Sequence, residues 1–350
     1  MGRQERVLRG KLKYDNLGLQ GPQMEDIIAV GHLVVVYQDG TRAVEDISFN
    51  VKDGEFFGFL GPNGAGKSTT IKTLTTLLRK TSGSVRVAGL DIDKSPTEIR
   101  KSIGVLNQET SLDVDLTGRQ NLRLQGRLQQ LHGQTLDGRV EELLKLVQLD
   151  EVADKPAGRY SGGMRKRLDL ASALVHSPRL LFLDEPTTGL DAQSRTAIWE
   201  YLEDLNKSHG ITIFLTTQYL EEADRLCHQL AIIDHGKLIA GGSPSELKKA
   251  VGEDTISLTL DPSLRRRAGE VLKTVQGVSS VLESDGGVTA HAENAGQIVP
   301  DVITALDRNG IRPSFLSISS PTLDDVFLRA TGRRIRSDDL QRKETDPFLM

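Results

Sequence analysis

From Asp26 to about Ala250, short apolar runs alternate with longer amphipathic stretches, the pattern of a sheet covered by helices. Two of these runs, EFFGFLG at residues 55–61 and RLLFLDE at residues 179–185, are almost unbroken, which predicts central strands buried on both faces. Residues 119–149 depart from this pattern. Leucines recur there at helical spacing among Gln, Arg and Glu, predicting a helical insertion. After Gly252 the elements shorten. TISLTL, a helical stretch through Val275, VSSVLES, GVTAHAE, a helical stretch near residues 298–308, and IRPSFLSIS read βαββαβ, the split βαβ, ferredoxin-like order.

The pattern divides the chain into a large α/β domain at residues 26–250, with a helical subdomain at about 110–172, and a small α+β domain at 253–332. Two domains suit 350 residues, because a single core stops growing near about 250–300. Residues 1–25 lack the apolar core of a secretory signal, and residues 333–350 carry mixed charges with little periodicity, so a flexible leader and tail are expected. A spanning helix needs about 20 apolar residues, and the best run, at residues 27–37, contains Gly31 and His32. Hydrophobic residues at 37% and charged ones at 26% are ordinary for a globular protein. A net charge of −4 provides no global basic field, which argues against nucleic acid as a partner. The single cysteine, Cys227, cannot form an intrachain disulfide and fits a reducing compartment.

The strongest local signal is GPNGAGKST: Gly61, Pro62, Asn63, Gly64, Ala65, Gly66, Lys67, Ser68 and Thr69. It follows a predicted strand and precedes a helix, the context of a phosphate-binding loop. Glycines let backbone amides converge on phosphate oxygens, and Lys67 adds positive charge at the terminal phosphates. The Ser68 hydroxyl suits a Mg²⁺ ion, and the following helix turns its positive end to the anion. In LLFLDEP an apolar strand ends in two carboxylates, which in an open α/β sheet emerge at the ligand-binding edge. Asp184 suits the magnesium, and Glu185 suits orienting or deprotonating the attacking water. These two motifs admit many NTPases. A third, YSGGMRKRL, places Ser161, Gly162 and Gly163 at the start of an amphipathic helix, about 95 residues after the loop and just before the acidic strand.

With these three motifs in this order, the chain resembles the nucleotide-binding subunits of ABC transporters from about Asp26 to Gly242. The resemblance implies a P-loop NTPase fold of the ABC type. It makes GPNGAGKST the Walker A loop, Gln108 in VLNQE the Q-loop and a magnesium ligand, YSGGMRKRL the signature, LLFLDEP Walker B and Asp191 the D-loop, with Tyr37 placed to stack on adenine. One station departs: TTQYLEEAD carries Gln218 where the family usually has a histidine that senses the γ-phosphate. A glutamine amide donates a hydrogen bond but cannot become charged. The same glutamine, DLTGRQNL (residues 115–122) and PTLDDVFLRATG (residues 321–332) resemble the daunorubicin-resistance-type export ATPases.

The resemblance implies ATP and Mg²⁺ as cofactors and catalysis by Glu185 with Gln218 and Gln108. It implies a membrane-spanning permease as partner, a second ATP-binding subunit closing head to tail, with a homodimer expected, and a place on the inner face of the cell membrane. One Walker A and one signature supply only half of each composite site. The rival reading, an ABC ATPase acting on nucleic acid or ribosomes, would call for a long coiled coil, two fused ATPase domains or a basic footprint, none of which this sequence shows. Arg165, Lys166 and Arg167 read as a solvated helix face, and His228 and His235 lack a metal-ligand spacing.

Overall fold

The computed structural model describes residues 26–284 and 287–332; the expected leader and tail lie outside the described residues. The described chain forms two compact units, residues 26–244 and 245–332.

In the first unit, β1 (Asp26–Val36) and β2 (Arg42–Lys52) pair antiparallel and continue through β4 (Ser82–Val87) to β5 (Leu90–Asp91), in the order β2-β1-β4-β5. A second sheet contains β3 (Phe56–Leu60), β6 (Ile103–Leu106), β7 (Leu180–Asp184), β8 (Thr212–Thr217), β9 (Gln229–Asp234) and β10 (Lys237–Gly242), in the order β10-β9-β3-β8-β7-β6. All its pairings are parallel except β9 with β10. Parallel neighbours need crossover connections. Helices α1 (Lys67–Leu74), α2 (Pro96–Ser102), α6 (Ala192–His209) and α7 (Leu220–Leu226) lie in these connections.

Every residue of β3, β7 and β8 is buried, as the unbroken apolar runs require. The two sheets meet through phenylalanines. Phe49 of β2 lies 5.6, 5.4 and 6.0 Å, centroid to centroid, from Phe57, Phe59 and Phe214, and Phe182 lies 5.5 Å from Phe214. Ring pairs of this kind contribute about 0.5–1.5 kcal/mol each beyond their buried area. They clamp the strands whose C-terminal ends carry the site.

The helical insertion consists of α3 (Gly118–Leu128) and α4 (Gly133–Leu146), which pack with α5 (Gly162–Ala173) through Leu122, Leu136, Val140, Leu143 and Leu168. The DLTGRQNL segment has a local cause. Thr117 and Gln120 form a reciprocal capping box at the start of α3, and buried Asn121 donates from Nδ2 to the carbonyls of Asp113, Leu116 and Thr117.

The second unit runs β11 (Asp254–Thr259), α9 (Arg265–Leu272), β12 (Val278–Ser284), β13 (Gly287–Ala292), α10 (Ala295–Arg308) and β14 (Phe315–Ser319). Its antiparallel sheet has the order β12-β13-β11-β14, the ferredoxin-like arrangement expected from the pattern. Ala268, Leu272, Val302 and Leu306 of the helices share its core with Ile256, Leu258, Val288 and Ala290. The unit begins one residue into α8 (Pro244–Val251), ahead of the residue 253 read from the pattern. Arg329 of α11 (Leu323–Thr331) donates to the carbonyls of Ala250 and Val251, so α8 packs with the small unit. The start of α11 repeats the device of α3, with Thr322 and Asp325 forming a capping box inside PTLDDVFLRATG.

Candidate active site

Strand β3 ends at Leu60, and the chain turns through residues 61–66 into α1. Asn63 and Gly64 are exposed at the tip of this turn, while Gly61, Ala65 and Gly66 are buried. Gly66 has φ of +109°, and a Cβ there would fall 2.5 Å from the Ala43 carbonyl oxygen, so both backbone and space require glycine. Lys67 is 4% exposed. Its ammonium donates to the carbonyls of Gly61 (2.7 Å) and Pro62 (3.1 Å) and lies 3.0 Å from Oε1 of Glu185. The lysine thus holds the loop closed around its own charge. Thr69 Oγ1 lies 3.0 Å from the hydroxyl of Tyr37, which anchors that partly exposed ring beside the loop.

Asp184, the last residue of β7, stands opposite Thr216 of β8 in the parallel register. Thr216 Oγ1 donates to Asp184 Oδ1 at 2.6 Å, and Ser68 Oγ donates to the same oxygen at 3.3 Å. Glu185 follows with φ of +48°, a left-handed conformation that costs a non-glycine residue about 1–3 kcal/mol and is held here by its context. Its amide donates to the Thr216 carbonyl at 3.1 Å, and Thr188 Oγ1 donates to its Oε2 at 3.3 Å. Hard oxygen donors, the Ser68 hydroxyl and the Asp184 carboxylate, are therefore gathered beside the lysine of the loop, a donor set that fits Mg²⁺. Gln218 follows β8 and is 6% exposed. Gln108 lies on an exposed turn after β6.

Ser161 caps α5 by accepting from the Met164 amide at 3.2 Å, and Ser161 and Gly162 are exposed. Gly163 packs against the start of α6: a Cβ there would lie 2.9 Å from Ser194 Oγ. Asp191 caps α6, accepting from the Ser194 amide (2.9 Å) and hydroxyl (2.8 Å), bonds that hold its carboxyl below the usual range.

The solvated-face reading of Arg165, Lys166 and Arg167 does not hold. Arg165 donates to the Tyr160 carbonyl (3.1 Å), Lys166 to that of Asn107 (3.3 Å) and Arg167 to that of Val147 (2.9 Å). Burial lowers the pKa of the Lys166 ammonium. On the next turn, buried Asp169 accepts from the Ser111 hydroxyl at 3.0 Å. Helix α5 is thereby bound to the segment that carries Gln108, because it packs on several sides and its basic residues find backbone carbonyls. In the sequence Thr216 carries no signal beyond a hydroxyl next to the last position of the TIFLTT run, and it acquires meaning only once β8 pairs with β7.

The family described as ABC transporter matches residues 44–188, and the family described as ATP-binding protein DrrA1-3-like, C-terminal domain, matches residues 242–331. The daunorubicin/doxorubicin resistance ATP-binding protein DrrA of Streptomyces peucetius is 43% identical over 307 residues, which is 87% of this chain and 92% of the relative. Solved structures similar to this chain include two ATP-binding cassettes. CbiO1 from Clostridium perfringens, part of the ABC transporter complex cbiONQ, has a TM-score of 0.61 at 32% identity, covering 65% of this chain and 93% of its own. The ATP-binding cassette MJ0796, in a dimeric post-hydrolysis state bound to ADP and Pi, has a TM-score of 0.57 at 26% identity, covering 62% and 98%. With the Lys67 loop, the acidic end of β7 and the capped signature helix in one α/β unit, the chain belongs to the ABC transporter family as an ATP-binding, ATP-hydrolysing subunit.

Proposed function

We propose that this ATPase powers efflux of a drug- or antibiotic-like amphiphile through a separate membrane-spanning permease, from the cytoplasmic face of the membrane. Among the described residues no helix is long and apolar enough to span a membrane, so the crossing path is assigned to the permease. The observation that carries the reading is the similarity to a resistance ATPase that extends through both units, including the C-terminal one.

Two copies close head to tail over two ATP molecules in this reading. Ser161, Gly162 and Gly163, with Asp191 beside them, meet the nucleotide held by the partner's loop; the exposure of Ser161 and Gly162 at the start of α5 supports this role. Gly61, Pro62, Asn63, Gly64, Ala65, Gly66, Lys67, Ser68 and Thr69 wrap the phosphates, and the Tyr37 ring receives adenine. Ser68, Asp184 and Gln108 hold Mg²⁺, which when bound neutralises charge on the phosphate oxygens. Glu185 accepts the proton of the attacking water, and Gln218 donates a hydrogen bond to the γ-phosphate.

The test pairs turnover with transport. Co-expression with the permease should lower cellular accumulation of a fluorescent anthracycline, and Glu185→Gln should abolish that effect. Unchanged accumulation with an intact ATPase would redirect the cargo to a lipid or polysaccharide precursor.

A further inference from the structure

Helix α7 begins two residues after Gln218 and carries a carboxyl group that the hydrolytic site does not use. Glu222 is wholly enclosed, at 0% exposure. One of its oxygens, Oε1, accepts two hydrogen bonds, both at 2.9 Å: from Thr187 Oγ1 and from the indole Nε1 of Trp199. The donors come from two different places. Thr187 is two residues beyond Glu185 in the turn that leaves β7, and Trp199 lies two turns into α6, the helix capped by Asp191. Three segments therefore converge on one oxygen: the turn of Glu185, the helix of Asp191 and the first turn after Gln218.

A second strut runs beside it. The Arg195 guanidinium lies 4.6 Å from the centre of the Tyr219 ring, next to Gln218, and its Nη2 donates to the Leu190 carbonyl at 3.5 Å. Burial raises the pKa of the Glu222 carboxyl, against the hydrogen bonds from Trp199 and Thr187 that pull the other way. Enclosing a carboxyl so deeply costs stability unless its partners hold it. Its placement between two catalytic segments, rather than anywhere in the apolar core, calls for a reason.

We propose that Glu222 is a positioning residue of the ATPase. By binding Thr187 and Trp199 at once, it fixes Gln218 relative to Glu185 and to the α6 helix that starts at Asp191. Removing its oxygen leaves ATP binding intact and lets the attacking-water side and the γ-phosphate side of the site drift apart. The proposal rests on the ATPase reading of Glu185 and Gln218.

Trp199 is the single tryptophan of the chain, so its emission reports this contact directly. The test uses the full chain and three variants: Glu222→Leu, which removes the acceptor; Glu222→Gln, which keeps it; and Trp199→Phe, which keeps a ring and removes the donor. Glu222→Leu should lower kcat about tenfold and Trp199→Phe about threefold, with the ATP dissociation constant within about twofold of wild type, while Glu222→Gln stays within about twofold of wild type in kcat. Tryptophan emission should change in Glu222→Leu and remain near wild type in Glu222→Gln. Wild-type kcat in Glu222→Leu, an equal loss in Glu222→Gln, a loss confined to KM, or unaltered emission in Glu222→Leu would each overturn the proposal. Should Glu222→Leu fail to fold, Trp199→Phe decides, and undiminished kcat there overturns it. A wild-type protein without Mg²⁺-dependent turnover, in contrast, would overturn the ATPase reading as well.

Discussion

The Lys67 ammonium and the Glu185 carboxylate form an ion pair at 3.0 Å, with side chains 4% and 7% exposed. In the proposed function, bound phosphate takes over the lysine and releases the carboxylate towards water. Breaking a buried pair from one side strands the other charge, at a cost of about 3–5 kcal/mol. Lys67→Ala should therefore abolish nucleotide binding and turnover and lower the melting temperature, whereas Glu185→Gln keeps a hydrogen-bonding side chain and should still bind ATP. Loss of a general base predicts a fall in kcat of about 10²–10⁴-fold for Glu185→Gln. Phosphate release beside an ATP-binding titration checks this. Near-normal turnover would remove Glu185 from the role.

Gln218 is buried behind the end of β8 and offers a neutral amide. Losing one such donor corresponds to about 1–3 kcal/mol, or roughly five- to 150-fold in rate. Gln218→Ala should thus impair turnover less than Glu185→Gln does, measured on the same preparation. An equal, near-total loss would make Gln218 the essential switch.

The proposed composite site, built from two copies, would make activity depend on assembly. Specific ATPase activity should rise with protein concentration before reaching a plateau, since the folded dimer is populated by mass action. A flat profile, in a preparation shown by light scattering to be monomeric, would be incompatible with shared sites.

The raised carboxyl of Glu222 predicts how stability varies with pH. For an acid whose folded pKa lies above the ordinary 4.5, the contribution to stability is fully present below that value and is lost as pH rises through the folded one. Arg195 opposes the rise, Lys166 feels the resulting charge, and the buried Cys227 thiol, which feels it too and is pushed well above its ordinary value, stays protonated throughout this window. The melting temperature of wild type should match that of Glu222→Gln near pH 5 and fall behind it as pH rises. A constant difference from pH 5 to 8 would show that Glu222 ionises freely.

Much of this molecule is determined locally. The bare-backbone turn of residues 61–66, the apolar strand that delivers Asp184 and Glu185, the caps at Ser161 and Asp191, and the βαββαβ order of the small unit all follow from neighbouring residues, because phosphate loops, helix caps and strand periodicity act within a few positions. Other features required the fold. Thr216 reaches Asp184 only because β8 lies beside β7. Lys166 and Asp169 bind the Gln108 segment only because α5 packs across it, and α8 joins the small unit through an arginine some 78 residues away. Glu222 in LEEAD looks like any helix carboxylate, and its burial between Thr187 and Trp199 arises from separations of 35 and 23 residues. Which chemistry the chain carries is thus written in its motifs, since each holds its reactive groups within a short span. Which distant side chains hold those groups in place depends instead on strand order and helix packing, which no local pattern encodes.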